Sequence, residues 1–111
     1  MTTRESFGEH IKKLREDHKL PIRKVASVLD IDPSTWSKIE RGERNANKEM
    51  LPIIADLFNE KEETLSLILF SDKVAYQILG EKNPNEILKV AEEKIQYLKN
   101  KNLEQGSLEQ K

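Results

Sequence analysis

The chain has 111 residues, 35% charged and 36% hydrophobic, with a formal net charge of −1 and no cysteine. That length supports one domain with an extension and a modest core, and the missing cysteines exclude disulfides and cysteine nucleophiles. Two isolated histidines without clustered carboxylates leave no zinc-ligand set, no run approaches the ~20 apolar residues of a membrane span, and the start MTTRESFGEHIKKL lacks a secretory pattern, so a cytoplasmic, non-membrane protein without metal or other cofactor is expected.

From Thr2 to about His18, Phe7, Ile11 and Leu14 recur at i, i+4 and i+7 among charged residues, which predicts an amphipathic helix. Thr2 with Glu5, or Ser6 with Glu9, would form a capping box, and Lys12, Lys13, Arg15 and Lys19 suit the negative end of the helix dipole. His10 and His18 have no carboxylate, Cys or Ser partner at motif spacing and read as surface histidines. Leu20-Pro21 closes this helix and opens a second, about Pro21 to Leu29, with Ile22, Val25, Ala26 and Leu29 on one face. The small Ala26 on that face would let another helix cross closely.

Asp30-Ile31-Asp32-Pro33 holds both a turn and a helix start. Asp30 is among the few non-glycine types that tolerate the left-handed region, Asp32 suits the N-cap, and Pro33 fits the first helical position, where its missing N–H costs nothing. The third helix, about Pro33 to Arg41, points Trp36 and Ile39 inward, keeps the indole edge near the surface, and ends at Gly42 as a left-handed closing residue. Its outward face is Ser34, Thr35, Ser37, Lys38 and Arg41, hydroxyls and cations of the kind that bond base edges and phosphates. Two short helices joined by a tight turn, the second with an outward polar face, make a helix-turn-helix pattern suited to the DNA major groove. Charge leans the same way: residues 1–48 hold 11 Lys and Arg against 8 Asp and Glu, and residues 49–111 hold 8 against 12, which puts the mildly basic half around the pattern.

The run from Leu20-Pro21 to Arg44, with Ala26, Leu29, Ile31, Ser34, Ser37, Ile39, Glu40, Arg41 and Gly42 in register and SxxSKIERGER as its hallmark, resembles the phage-repressor-like helix-turn-helix regulators, also called the xenobiotic-response-element (XRE) family. The resemblance covers roughly residues 5–70 and implies a five-helix, lambda-repressor-like DNA-binding domain. It further implies that Arg15 pairs with Glu40 in a partly buried ion pair tying the first helix to the third. Pro33 stands where base-reading members often have glutamine, and Ile22 where they often place a phosphate-binding polar residue, which implies fewer direct polar contacts and a larger share for phosphates and DNA shape. The short stand-alone form also looks like controller proteins of restriction-modification systems and small phage-type repressors.

Glu43 to Lys48 reads as a polar loop, with Asn47 capping a fourth helix, about Lys48 to Phe58, and with Arg44 and Lys48 as phosphate candidates. Met50, Leu51, Ile54, Ala55, Leu57 and Phe58 face inward, and Pro52 near the start costs one helical bond. The fifth helix carries Leu65, Leu67, Ile68, Leu69, Phe70, Val74, Ala75, Tyr76, Ile78 and Leu79, more than one face can hold, which calls for a second packing surface; a break at Ser71-Asp72-Lys73 is left open. After a break at Gly80 to Asn85, a last helix, about Pro84 to Lys101, places Leu88, Ala91, Ile95 and Leu98 at heptad-like spacing, widened by Ile87 and Val90. That stripe fits equally a return onto its own domain and a seam with a second copy.

The expected fold is all-α: a helix-turn-helix domain at residues 1–70, a helical, dimerising extension at 71–101, and a disordered tail at 102–111. The expected function is sequence-specific regulation, as a repressor, by a homodimer on a pseudo-palindromic operator in double-stranded DNA. Ser34, Thr35 and Lys38 would meet base edges, Ser37 would belong to the same DNA-binding face, and Arg41, Arg44 and Lys48, with Arg23 and Lys24 of the second helix, would hold phosphates. The alternative is a protein-interaction module, an antitoxin or adaptor gripping a partner through the fifth and last helices. No nucleophile, base and orienting group occur together, so an enzyme is not expected.

Overall fold

The computed structural model describes residues 4–106, which are helical or in turns and short irregular connections, with no strand among them. Six α-helices follow in order: α1 Phe7–Asp17, α2 Ile22–Leu29, α3 Pro33–Glu40, α4 Leu51–Phe58, α5 Glu62–Ile78 and α6 Pro84–Gly106, with a 3-10 turn at Lys48–Met50 before α4. Contacts divide the chain into two units that meet within α5, between Val74 and Ala75.

The first unit holds every buried hydrophobic side chain among the described residues, from Phe7 to Leu69. Trp36, Ile11, Ile39, Leu51, Ile54, Leu65 and Val25 are its fully enclosed residues, so α1 through α5 share one core. Ala26 is buried as expected, and α2 packs against α3.

Local chemistry sets where the helices begin. Residues 4–6 are not helical and α1 starts at Phe7, because Ser6 and Glu9 complete the capping box: the Ser6 hydroxyl accepts the Glu9 N–H at 3.1 Å, and the Glu9 carboxylate accepts the Ser6 N–H at 2.9 Å. The expected start at Thr2 is therefore too early, and the Thr2 alternative lies outside the described residues. A further free N–H at this end, that of Phe7, donates to the Asp72 carboxylate of α5 at 2.7 Å. Asp72 marks no break: α5 runs on through Ser71-Asp72-Lys73, with the Ser71 hydroxyl bonded back to the Ile68 carbonyl. Asp32 is the N-cap of α3 by backbone only. Its carbonyl accepts from Thr35 and Trp36 while its carboxylate makes no capping bond.

Helix ends share one device. α1, α2, α3 and α4 close through left-handed Lys19, Asp30, Gly42 and Asn59, with φ of 55°, 57°, 76° and 52°. In each, the N–H of the next residue reaches back to a carbonyl of the last turn: Leu20 to Arg15, Ile31 to Ala26, Glu43 to Lys38 and Glu60 to Ala55, at 2.8–3.1 Å. Asp30 and Gly42 were expected in this role. Lys19 is the costly one, since a Cβ in the left-handed region is strained and lysine has no side-chain device to offset it. Lys19→Gly is expected to raise stability by about 0.5–1 kcal/mol, the strain relieved less the extra chain entropy of glycine, read as a higher urea midpoint at unchanged slope. A lower midpoint would show instead that the lysine stem contributes packing.

Two segments depart from the sequence reading. Residues 48–58 are not one helix: Pro52 has no N–H to draw the Lys48 carbonyl into an α-turn, so the Leu51 N–H takes it, and Asn47 caps the 3-10 turn through the Met50 N–H at 3.1 Å. Pro52 consequently sits in the first turn of α4 and costs no helical bond. In the second unit, α6 continues to Gly106, so residues 102–106, expected in the tail, are helical; residues 107–111 lie outside the described residues.

Candidate nucleic-acid interface

Asp30, Ile31 and Asp32 alone connect α2 to α3. This connection aims α3, and α3 itself has two faces. Trp36, Ile39 and Glu40 are buried, while Ser34, Lys38 and Arg41 are exposed at spacings of four and three, which aligns them along the outer side. Ser37 and Thr35 flank that stripe and are half-buried.

The inner face is held by a polar cluster. Arg15 of α1 grips Glu40 with two donors, Nε to Oε2 at 2.7 Å and Nη2 to Oε1 at 3.2 Å, and its Nη1 donates to the Leu20 carbonyl at 3.0 Å. The Trp36 indole N–H donates to the same Glu40 Oε2 at 2.5 Å. Side-chain exposures of 12% for Arg15 and 4% for Glu40 make this an enclosed pair, joining α1, its exit turn and the far end of α3. The Glu40 hydrogen bond, ahead of its charge, holds the Arg15 guanidinium above its ordinary range against the opposing effect of burial. Trp36, expected with an edge near the surface, is fully buried because its N–H finds this internal acceptor instead of water.

A closer approach occurs at Gly8 in the first turn of α1. A Cβ built there would lie 2.4 Å from the Glu40 carbonyl oxygen and 2.6 Å from that of Ile39. Only a residue without a side chain lets the two backbones come this near.

His10 corrects the reading of surface histidines. It is 7% exposed, with Nδ1 3.0 Å from Glu5 Oε1 and Nε2 3.1 Å from Glu60 Oε2, bridging the approach to α1 and the α4–α5 connection. Phe7 and Ile11, three before and one after it, carry this side of α1 into the core. His18 is exposed, donates to the Leu14 carbonyl at 2.8 Å and meets the Phe58 ring edge-on at 5.2 Å.

On the outer side, Arg23 and Lys24 lie in the first turn of α2, Arg44 in the loop after α3, and Lys48 at the 3-10 turn, all exposed. Of the cations expected to contact DNA, Arg41 is the one held in an ion pair with a described residue. Its Nε and Nη2 meet the Glu43 carboxylate at 2.8 and 3.2 Å, and its Nη1 donates to the Ser37 hydroxyl at 2.6 Å. The hydrogen bond raises the Arg41 pKa and lowers that of Glu43. Ile22 is partly buried against the core and Pro33 is exposed, so neither supplies a polar group to the outer face. Gly8, His10, Glu43 and the internal partner of the Trp36 N–H are what sequence reasoning missed. Gly8 meets α3 and His10 reaches Glu60 from far along the chain, whereas Trp36 meets Glu40 one turn on in α3 and Glu43 stands two residues from Arg41, just past left-handed Gly42.

No group of metal-ligating side chains occurs among the described residues, and no helix is long and apolar enough to cross a membrane. A search of curated proteins and a search of solved structures each returned no match. A family model described as a helix-turn-helix domain matches residues 8–67, from the close-packed glycine of α1 into α5. More than half of the chain is covered by that match, and the folded unit contains the α2–turn–α3 geometry it requires: the chain belongs to the XRE-type helix-turn-helix family and carries a DNA-binding domain.

Proposed function

We propose that the protein is a sequence-specific transcription repressor that binds a pseudo-palindromic operator as a homodimer. The observation that carries this reading is the exposed stripe of Ser34, Lys38 and Arg41 on a helix whose opposite face is locked to α1 and α2. In this reading α3 enters the major groove. Ser34, Thr35, Ser37 and Lys38 meet base edges, while Arg41, Arg44, Lys48, Arg23 and Lys24 hold phosphates and set the register. Two copies would place their reading helices on half-sites about 34 Å apart, one turn of duplex.

Lys38→Ala and Arg44→Ala separate the two roles. Lys38→Ala is expected to weaken the operator more than mixed-sequence DNA, whereas Arg44→Ala should weaken both alike and flatten the salt dependence by about 0.9 in log–log slope. Fluorescence anisotropy across a salt titration measures both. Parental binding by both variants on every duplex would remove this assignment.

The dimer reading draws on apolar surface that the fold leaves outside. Leu67, Phe70 and Val74 are exposed along α5, and Leu88, Ile95 and Leu98 along α6. The same stripes favour the second reading, an interaction module such as an antitoxin or adaptor whose partner is another protein. Light scattering of the purified chain with and without duplex decides between them. A dimer that takes up one duplex supports the repressor, and a monomer indifferent to DNA supports the module.

A further inference from the structure

We propose that Glu43 is a built-in competitor of the DNA backbone for Arg41, so that each binding event exchanges a carboxylate for a phosphate on one guanidinium. The inference rests on the DNA reading above and deepens it by naming a residue that opposes binding. Arg41 ends the outward stripe of α3, where a phosphate contact is expected, yet its fork is already filled by a carboxylate in the two-point geometry that a phosphate would adopt. The arrangement is built by the backbone. Gly42 at φ 76° turns the chain back, and the Glu43 N–H is bonded to the Lys38 carbonyl at 2.8 Å, which seats the carboxylate beside the guanidinium.

Side-chain exposures of 53% and 55% keep the pair exchangeable, since an exposed ion pair is weak and opens readily to a stronger anion. A phosphate flanked by its neighbours along the duplex is such an anion. Once displaced, the Glu43 carboxylate stays close to the phosphates as a like charge. Both effects lower affinity for every sequence equally, because neither involves a base. Arg23, Lys24, Lys38, Arg44 and Lys48 carry no such partner among the described residues, so Arg41 is the cation held back.

The test compares the parent, Glu43→Gln and Glu49→Gln for binding to a labelled mixed-sequence duplex over a salt series. Glu49 is also an exposed carboxylate of the following segment but is in no ion pair with a described residue, and it controls for overall charge. Glu43→Gln is expected to bind roughly two- to fivefold tighter at about 0.1 M salt, with a slope steeper by up to about 0.9, while Glu49→Gln changes less. Arg41→Gln should then cost more in the Glu43→Gln background than in the parent. Unchanged or weaker binding by Glu43→Gln, an equal gain from Glu49→Gln, or an Arg41→Gln loss that is the same in both backgrounds would overturn the proposal. A parent without affinity for any duplex overturns the DNA reading itself, and is told apart by its flat titration.

Discussion

Gly8→Ala is expected to destabilise the first unit by about 3 kcal/mol or more, a fall of some 15 °C in melting temperature for a domain of this size. The added methyl would sit 2.4 and 2.6 Å from two backbone carbonyl oxygens of α3, well inside contact distance. A flexible side chain could turn aside, but a carbonyl at a helix end cannot move without the helix. Relief therefore means sliding α1 away from α3, and the Arg15 fork and the core around Ile11 and Trp36 are stretched with it. Alanine's better helix propensity, worth up to about 1 kcal/mol over glycine, works against the loss without reversing it. Gly80→Ala is the internal control: nothing lies within 4 Å of its added carbon, and its melting curve should stay within about 0.5 kcal/mol of the parent. Equal behaviour of the two variants in a thermal melt would mean that α1 and α3 do not approach as described.

The second large effect belongs to Glu40. Glu40→Ala strands an enclosed guanidinium and a buried indole N–H at once, and breaking an enclosed pair in this way costs about 3–5 kcal/mol. On the proposed reading the cost should reach DNA binding as well, because the cluster anchors the inner face of the helix whose outer face is proposed to meet the bases. A compensated set, Arg15→Met with Glu40→Leu and Trp36→Phe, leaves no orphaned donor and should recover most of the lost stability, as apolar replacements of enclosed ion pairs do. Chemical unfolding of the single and combined variants separates these outcomes. Losses that simply add would show that the three groups do not act as a unit.

Much of the frame was legible because it depends on near neighbours. The Ser6–Glu9 box, the left-handed Asp30 and Gly42, Pro33 at the head of α3 and the stripe of Phe7, Ile11 and Leu14 are all decided within a few residues. What escaped depends on residues far along the chain. Gly8 looks like a weak helix residue until the carbonyls of Ile39 and Glu40 are set against it. His10 has no motif partner in sequence because one of its carboxylates, Glu60, arrives from beyond α4. Asp72 resembles a helix breaker and instead accepts the Phe7 N–H of another helix. At the outer face, periodicity identified the exposed positions, but the fork between Arg41 and Glu43 depends on one torsion, and spacing alone does not reveal it.

The left-handed closures carry a consequence for how such a protein can diversify. The azimuth of α3 is fixed by Asp30, by the bond from Ile31 back to Ala26 and by the Schellman-type exit at Gly42, none of which uses the side chain of Ser34 or Lys38. The side chains at those outward positions are therefore free of structural duty, so on the proposed reading specificity and stability are decoupled and the outer face can be rewritten residue by residue. Length is another matter, since one residue inserted within α3 between Ser34 and Lys38 would rotate the side chains beyond it by about 100° relative to those before it and break the outward stripe.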